Sequence, residues 1–117
     1  MKGQQTGRVG EELAAKWLEQ QGYRILHRNF RFDRGEVDLI AEDGGELVFI
    51  EVKTRRGVGF GTPEEAVTPA KEEQMNKVAE GYLLKHGLEQ QACRFDIVSI
   101  VYKGSDVTVS IIKNAFV

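Results

Sequence analysis

The sequence predicts an α/β fold in which helices cover both faces of a central sheet. Two observations support this. Hydrophobic periodicity along the 117 residues gives the order helix, three strands, helix, two strands. Residues 47–52 are also apolar on both faces apart from Glu51, which is typical of a strand buried on both sides. A chain of this length buries about 65% of its unfolded surface, so we expect one domain over residues 1–117.

The first helix is predicted over residues 5–21 and ends at Gly22. With about 100° between successive residues, one face of this helix is apolar. That face consists of Leu13, Ala14, Trp17 and Leu18. Glu11 lies at the edge of the apolar face and can point toward the sheet, whereas Glu12 points to solvent. The two adjacent acids are therefore predicted to differ in role.

Three strands follow, over residues 23–30, 36–42 and 47–54, and Gly44-Gly45 forms the turn between the last two. If these glycines are the two-residue loop, the register places Asp38 directly opposite Glu51. Cross-strand Cβ atoms lie roughly 4.5–5.5 Å apart, and alternation puts Lys53 on the same face as Glu51. Ionised groups in apolar strands are costly unless they have a partner or a task. We therefore predict a divalent-metal site with a basic helper.

This combination of residues suits phosphodiester hydrolysis. Mg²⁺, or Mn²⁺ as its substitute, is held by one or two carboxylates, and a neighbouring cation can orient the nucleophile. Asp38 and Glu51 supply the carboxylates, Lys53 supplies the cation, and Glu11 can add a third carboxylate from the helix. The alternative is an ordinary polar hairpin end, in which Glu36 forms a cross-strand ion pair with Lys53.

The second half of the chain begins with a basic, glycine-rich loop at 55–61, either a connector or a flap over a phosphate backbone. A short helical turn is predicted at 62–65, followed by a helix over 69–86. Its buried stripe is Met75, Val78, Ala79, Tyr82 and Leu83. Lys71 and Gln74 can reach over the sheet. Strands at 94–102 and 107–112 complete the fold, and we expect Asp96 to be structural, paired with an arginine such as Arg94.

The formal net charge of −2 excludes a generically basic nucleic-acid coat, so a polyanion would need local patches. Two such patches flank the hairpin. They contain Arg24, Arg28, Arg31 and Arg34 in the first and Lys53, Arg55 and Arg56 in the second. Cys93 is the only cysteine, which excludes an intrachain disulfide, and we expect it to be buried. No signal-peptide core or span of about 20 apolar residues is present, which predicts a cytoplasmic protein without membrane contact.

Several motifs together resemble the PD-(D/E)xK nuclease superfamily, which includes restriction endonucleases and archaeal Holliday-junction resolvases. They also resemble the bacterial YraN-like family, regarded as endonuclease-like. The motifs are GRVGE at 7–11, GY at 22–23, RN at 28–29, GEVDLI at 35–40, FIEVKTR at 49–55 and RFD at 94–96. Val37 stands where the superfamily name has proline. The resemblance implies a restriction-endonuclease-like αβββαβ core with a mixed central sheet.

The same resemblance implies roles for individual residues. Asp38 and Glu51 would be the metal ligands, Lys53 the catalytic lysine and Glu11 the helix acid of resolvase-like members. Auxiliary roles would fall to Lys71, Gln74 and Tyr82 on the second long helix. The sequence leaves the oligomeric state open. A homodimer is one arrangement, because resolvase-like relatives act as dimers.

Our leading hypothesis is a Mg²⁺-dependent nuclease acting on DNA, including branched or single-strand-containing DNA, with Glu11, Asp38, Glu51 and Lys53 as its catalytic residues. The predicted contacts to nucleic acid are Arg28, Arg31, Arg34, Arg55, Arg56 and Lys71, with Glu36 and Gln74 in auxiliary positions. The alternative is a catalytically silent nucleic-acid-binding module on the same fold. A third hypothesis, a protein-interaction adaptor, involves neither DNA nor metal.

Overall fold

The computed structural model describes the backbone of residues 2–57 and 67–116 and the side chains of residues 8–57 and 67–116. In chain order the elements are α1 (Lys2–Gln20), β1 (Arg24–Phe32), β2 (Gly35–Asp43), β3 (Glu46–Arg56), α2 (Pro69–Lys85), β4 (Cys93–Lys103) and β5 (Asp106–Ile112). The predicted element order is confirmed. The helical turn predicted at 62–65 and residues 58–61 of the glycine-rich loop lie outside the described residues. Neither described helix is long and apolar enough to cross a membrane.

The five strands form one mixed sheet in the order β1-β2-β3-β4-β5. β1, β2 and β3 are antiparallel neighbours, β3 and β4 are parallel, and β4 and β5 are antiparallel. The parallel pair needs a crossover connection, and α2 lies within it. This mixed sheet with two flanking helices is consistent with a restriction-endonuclease-like core, as predicted.

Each helix covers one face of the sheet, so the prediction of a strand buried on both sides is confirmed. On the first face the fully buried core includes Ala14, Leu18, Leu39, Val48, Ile50 and Val98. On the opposite face it includes Val37, Ile40, Phe49, Met75 and Val78. Residues 48–50 of β3 therefore alternate between the two cores, and each contributes its full apolar area to one of them.

Two glycines let the helices approach the sheet at the level of the predicted site. A Cβ atom at Gly10 in α1 would collide with the Thr54 hydroxyl oxygen on β3. A Cβ atom at Gly35, where β2 begins, would lie 2.5 Å from Val78 Cγ2 and 3.0 Å from Gln74 Cγ on α2. Glycine is required at such close approaches because it has no side chain. The close approach of Gly10 to Thr54 also brings the next residue of α1, Glu11, near the sheet.

Asp96 belongs to a structural network at the other end of the sheet, as the sequence predicted. Its carboxylate is fully buried and accepts hydrogen bonds from Arg94 Nε at 3.1 Å, Tyr23 at 3.0 Å and the backbone N–H of Asn114 at 3.0 Å. Arg94 also bonds Asp43 on β2 at 2.6 Å. A buried charge is tolerated when it is paired and hydrogen-bonded in this way.

One residue, Cys93, does not lie where the sequence placed it. Cys93 is exposed rather than buried, because it is the first residue of β4, at the end of the strand. Tyr82 lies in the buried stripe of α2, as the sequence predicted, and its ring packs into the core of that face. It is buried against Phe30 and Phe49, with ring centroids 5.2 Å and 5.8 Å away, because the aromatic core below α2 takes up its ring.

Candidate functional site

The β2–β3 hairpin opens into a fork at Asp38. The predicted register is confirmed from the turn as far as Leu39 opposite Ile50. The next predicted pair, Asp38 opposite Glu51, is not part of the described ladder. In its place the backbone N–H of Val52 donates a 2.8 Å hydrogen bond to Asp38 Oδ2. Beyond this point β2 remains paired with β1 and β3 remains paired with β4, so the sheet divides.

The fork coincides with irregular backbone on both β1 and β2. Val37 and Ile40 pack into the same core, so simple alternation along β2 is broken at the positions between them. Asn29, at the corresponding level of β1, has a left-handed φ of 53°. Asparagine tolerates this conformation better than most residues. These irregularities accompany the approach of the Asp38 carboxylate to Glu11 on α1.

Three carboxylates meet at the fork. Glu11 from α1 and Glu36 and Asp38 from β2 each offer one oxygen, and these oxygens lie within 4.8 Å of one another. All three side chains are half-buried. Oxygens around a single Mg²⁺ ion lie up to about 4.2 Å apart, given Mg–O distances of about 2.1 Å. Small side-chain rotations would therefore bring the three oxygens around one ion.

Burial and nearby negative charges raise the pKa values of Asp38 and Glu11. Burial and the nearby charge of Glu51 raise the pKa of Asp38 to about 7, although the hydrogen bond from Val52 opposes the rise. Burial also raises the pKa of Glu11, and repulsion from Glu36 adds to the rise, while a hydrogen bond from the Asn29 side chain lowers it. Raised pKa values at clustered acids are typical of functional sites, because bound cations relieve such repulsion.

Glu51 is the most deeply buried acid of the site, with a side chain only 6% exposed. Lys53 Nζ lies 3.5 Å from its Oε2 atom, and Lys71 Nζ lies 3.5 Å from its Oε1 atom. Within the described part of the chain, Oε1 accepts no hydrogen bond. Lys71 donates its hydrogen bond to Gln74 Oε1 instead, at 3.0 Å. The structure thus brings Lys53, Lys71 and Gln74 around Glu51.

The alternative prediction, in which the charged residues are only the polar end of a hairpin, required an ion pair between Glu36 and Lys53, and this pair is not formed. That alternative paired Glu36 with Lys53, but Glu36 Oε2 accepts a 2.7 Å hydrogen bond from Arg31 and Lys53 lies against Glu51. The fork separates β2 from β3 at this level, so a direct cross-strand contact is lost. Glu36, which was predicted only in an auxiliary position, is instead a member of the acidic cluster.

The arginines predicted to bind phosphate lie in different settings. Arg28 pairs with the exposed Glu12 of α1, and Arg31 pairs with Glu36. Arg34 is exposed in the β1–β2 turn. On β3, Arg56 lies over the Tyr102 ring at 4.6 Å, and Arg55 is half-buried. Arg28, Arg31 and Arg34 therefore lie on the β1–β2 hairpin, whereas Arg55 and Arg56 lie on β3 beside β4. Contact of either group with nucleic acid stays a prediction.

Asn29 was not identified as a site residue from the sequence. Its side chain forms a hydrogen bond with the Glu11 carboxylate, and its backbone, which is in the left-handed conformation, lies at the level of the fork. Asparagine is depleted in strands, so an asparagine inside a strand pattern was the available signal. Its meaning depends on α1 lying across β1, which the local pattern does not reveal.

The fold and site define an α/β domain with a forked mixed sheet and an acidic cluster at the fork. The family described as "Uncharacterised protein family UPF0102" matches residues 10–100. A UPF0102 protein of Symbiobacterium thermophilum is 52% identical over 113 residues, which cover 95% of each chain. A UPF0102 protein of Dehalococcoides mccartyi is 45% identical over 111 residues, 95% of this chain and 92% of the relative.

This chain belongs to the UPF0102 family. The resemblance to YraN-like proteins is therefore confirmed at the level of the family. The matched residues 10–100 include all four predicted catalytic positions, and they also include Glu36, Lys71 and Gln74. Both relatives are named only as UPF0102 proteins.

Proposed function

We propose that this protein is a metal-dependent nuclease that hydrolyses phosphodiester bonds in DNA, including branched or single-strand-containing DNA. The observation that carries the proposal is the meeting of Glu11, Glu36 and Asp38 at the sheet fork, next to the buried Glu51 and its partner Lys53. Membership of the PD-(D/E)xK superfamily, on which the choice of DNA rests, is part of the proposal.

The donor set suits a hard divalent cation such as Mg²⁺, with Mn²⁺ as its substitute. All the candidate ligands are carboxylate oxygens, which these ions prefer. Glu51 Oε1 is buried without a hydrogen bond, and such an orphan is costly unless a ligand satisfies it. A divalent ion would also offset the repulsion that raises the pKa of Asp38.

Each side chain would have a separate task in hydrolysis. When bound, the metal would neutralise phosphate oxygens and acidify a water molecule. Asp38 is held in place by the Val52 N–H, so its carboxylate is preorganised to bind the ion. Lys53, whose side chain is 33% exposed, can reach substrate while it stays beside Glu51, and there it would orient the attacking water or balance developing charge. Glu11 would complete the ligand set from α1.

The surface beside the cluster offers room for a nucleic acid strand. A cleft of about 390 Å³ is lined by residues 31–36 at the tip of the β1–β2 hairpin. Glu36 belongs both to this cleft and to the acidic cluster. Arg34 lines the cleft as well, and an arginine there would favour a phosphate backbone electrostatically.

A cleavage assay tests the proposal. The full-length protein is incubated with branched, nicked and single-stranded DNA in the presence of Mg²⁺ or Mn²⁺. We expect cleavage by the wild type, and a loss of at least about 100-fold in Asp38→Asn and Lys53→Met, as for removal of a preorganised catalytic group. The matched controls Asp106→Asn and Lys103→Met change exposed residues at the β4–β5 turn, which contributes none of the predicted site residues, and should retain activity.

The outcomes separate the competing functions. Cleavage that persists in Asp38→Asn and Lys53→Met would show that the activity arises elsewhere. DNA binding that weakens with salt but yields no metal-dependent product would instead favour the silent binding module. The absence of both binding and cleavage would favour the adaptor.

A further inference from the structure

We propose that Lys71 is a resident cation that competes with a divalent ion for Glu51. In the metal-free protein its ammonium group lies against Glu51 Oε1, and metal binding displaces it onto neighbouring groups. Lys71 is thus a positioning residue. Its contact with Glu51 must be broken when the ion binds, and this lowers the affinity of the protein for the metal. The inference rests on the proposed metal-dependent function and deepens it.

The geometry of the Lys71–Glu51 contact is that of a loose ion pair. Charge-assisted N–H···O bonds are usually about 2.7–2.9 Å long, whereas Lys71 Nζ lies 3.5 Å from Glu51 Oε1 and makes no hydrogen bond to it. The ammonium group instead donates to Gln74 at 3.0 Å. Because Gln74 holds the ammonium group independently, Lys71 can leave Glu51 without losing its hydrogen-bonding partner.

The position of Lys71 on α2 also points to a role outside the helix. Its backbone N–H is capped by Thr68 Oγ1 at 3.2 Å, and Pro69 opens the helix, so Lys71 lies in the first turn. The helix macrodipole disfavours a cation there. The nearby Glu51 carboxylate offsets this cost, which explains why a lysine is accommodated at this point.

Glu51 is the acid for which the competition matters. Its side chain is 6% exposed, and each of its oxygens faces one lysine at 3.5 Å. The two lysines differ, because Lys53 follows on the same strand and approaches Oε2, whereas Lys71 comes from α2 and lies against Oε1, which is buried without a hydrogen bond. Removing the Lys71 charge would leave Oε1 available to a metal and would increase the net negative charge around the acidic cluster.

Calorimetric titration of the full-length protein with Mn²⁺, without DNA, tests this competition. We expect Lys71→Met to bind Mn²⁺ at least about fivefold more tightly than the wild type, because a nearby like charge is removed. Lys77→Met is the matched control. It removes the same charge from the same helix, but at an exposed pair with Glu73, and should stay within about twofold of the wild type.

A double variant shows whether Lys71 acts through Glu51. In the Glu51→Gln background Lys71 has no carboxylate to compete for, so Lys71→Met should tighten Mn²⁺ binding much less than it does in the wild type, leaving only the weaker effect of its charge on Asp38. Unfolding curves confirm that each variant is folded, and Lys71→Gln replaces Lys71→Met if the latter is not.

The possible results distinguish this inference from the proposed function. If the wild type binds Mn²⁺ and Lys71→Met binds no more tightly than Lys77→Met, the competition is disproved and the nuclease proposal stands. A gain of undiminished size with Glu51→Gln also disproves it, because the effect would not pass through Glu51. If no variant binds Mn²⁺, the metal site itself is disproved, and the inference falls with it. Binding that is detectable only in Lys71→Met supports the competition.

Discussion

The carboxylate of Asp38 accepts a 2.8 Å hydrogen bond from the backbone N–H of Val52. This bond lies where the next residue pair between β2 and β3 would otherwise form. The hairpin thus exchanges a main-chain pair for a side-chain contact that holds a carboxylate at the fork. The same hydrogen bond lowers the pKa of Asp38, but burial and Glu51 outweigh it. Asp38 is therefore held firmly in an electrostatically unfavourable position.

Asp38→Asn should stabilise the metal-free protein at high pH. The pKa of Asp38 is raised to about 7, so between about pH 4 and about pH 7 the folded state binds more protons than the unfolded state. The contribution of Asp38 to stability therefore falls as pH rises through this window and levels off above it. We expect the variant to gain about 1–3 kcal/mol at about pH 8 and less at about pH 5. Urea unfolding with a chelator measures both.

Asp43→Asn at the opposite end of β2 is the control for this pH dependence. Arg94 holds the pKa of Asp43 below its usual range, so Asp43 is ionised at both pH values. Its substitution should change stability by the same amount at each. Equal effects of Asp38→Asn at the two pH values would contradict the raised pKa of Asp38.

Gly10→Ala should destabilise the protein by about 1–3 kcal/mol, even though alanine is the better helix former. The added methyl group would collide with the Thr54 hydroxyl and push α1 away from β3. Thermal or urea unfolding measures the loss. Adding Thr54→Ala should restore most of it, because the nearest remaining atoms, Cβ of residue 54 at 3.5 Å and Ile100 Cδ1 at 3.7 Å, lie at ordinary van der Waals distances from the new methyl group. Failure of the double variant to recover would show that the contact is not limiting.

Arg94→Met should cost about 3–5 kcal/mol of unfolding free energy, because it leaves the fully buried Asp96 carboxylate without its cation. The arginine side chain is only 11% exposed. Arg24→Met, on the edge strand β1, is the matched control. Its side chain is 69% exposed in a pair with Glu42, and its loss should cost less than about 1 kcal/mol. Similar costs for the two variants would refute a special role for the buried network.

Glu36→Gln should weaken Mn²⁺ binding by about tenfold or more, since it removes one charged ligand from the proposed site. Glu12→Gln is a stringent control, because Glu12 is adjacent to Glu11 in sequence but is exposed and pairs with Arg28. The Glu12→Gln variant should bind Mn²⁺ with the same affinity as the wild type. A stronger effect of Glu12→Gln than of Glu36→Gln would show that the proposed ligand set is wrong.

The sequence by itself determined the elements and much of the hairpin. The period of the apolar residues identified both helices, and Gly44-Gly45, both of which have positive φ, fixed the register of β2 and β3 near the turn. The helix wheel separated Glu11 from Glu12 correctly: Glu11 joins the acidic cluster, whereas Glu12 is exposed. These features are local, because each depends on residues that are near one another in the chain.

Only the tertiary structure decided which charges meet. Local register placed Glu51 opposite Asp38 and Glu36 opposite Lys53, but the sheet divides at Asp38, and α1 and α2 bring Glu11 and Lys71 from distant parts of the chain. Whether two side chains share a site depends on how helices pack across the fork, and the close approach at Gly10 is one such contact. Packing of this kind couples residues far apart in sequence, so strand alternation alone could not assign Glu36 to the acidic cluster or Lys71 to Glu51.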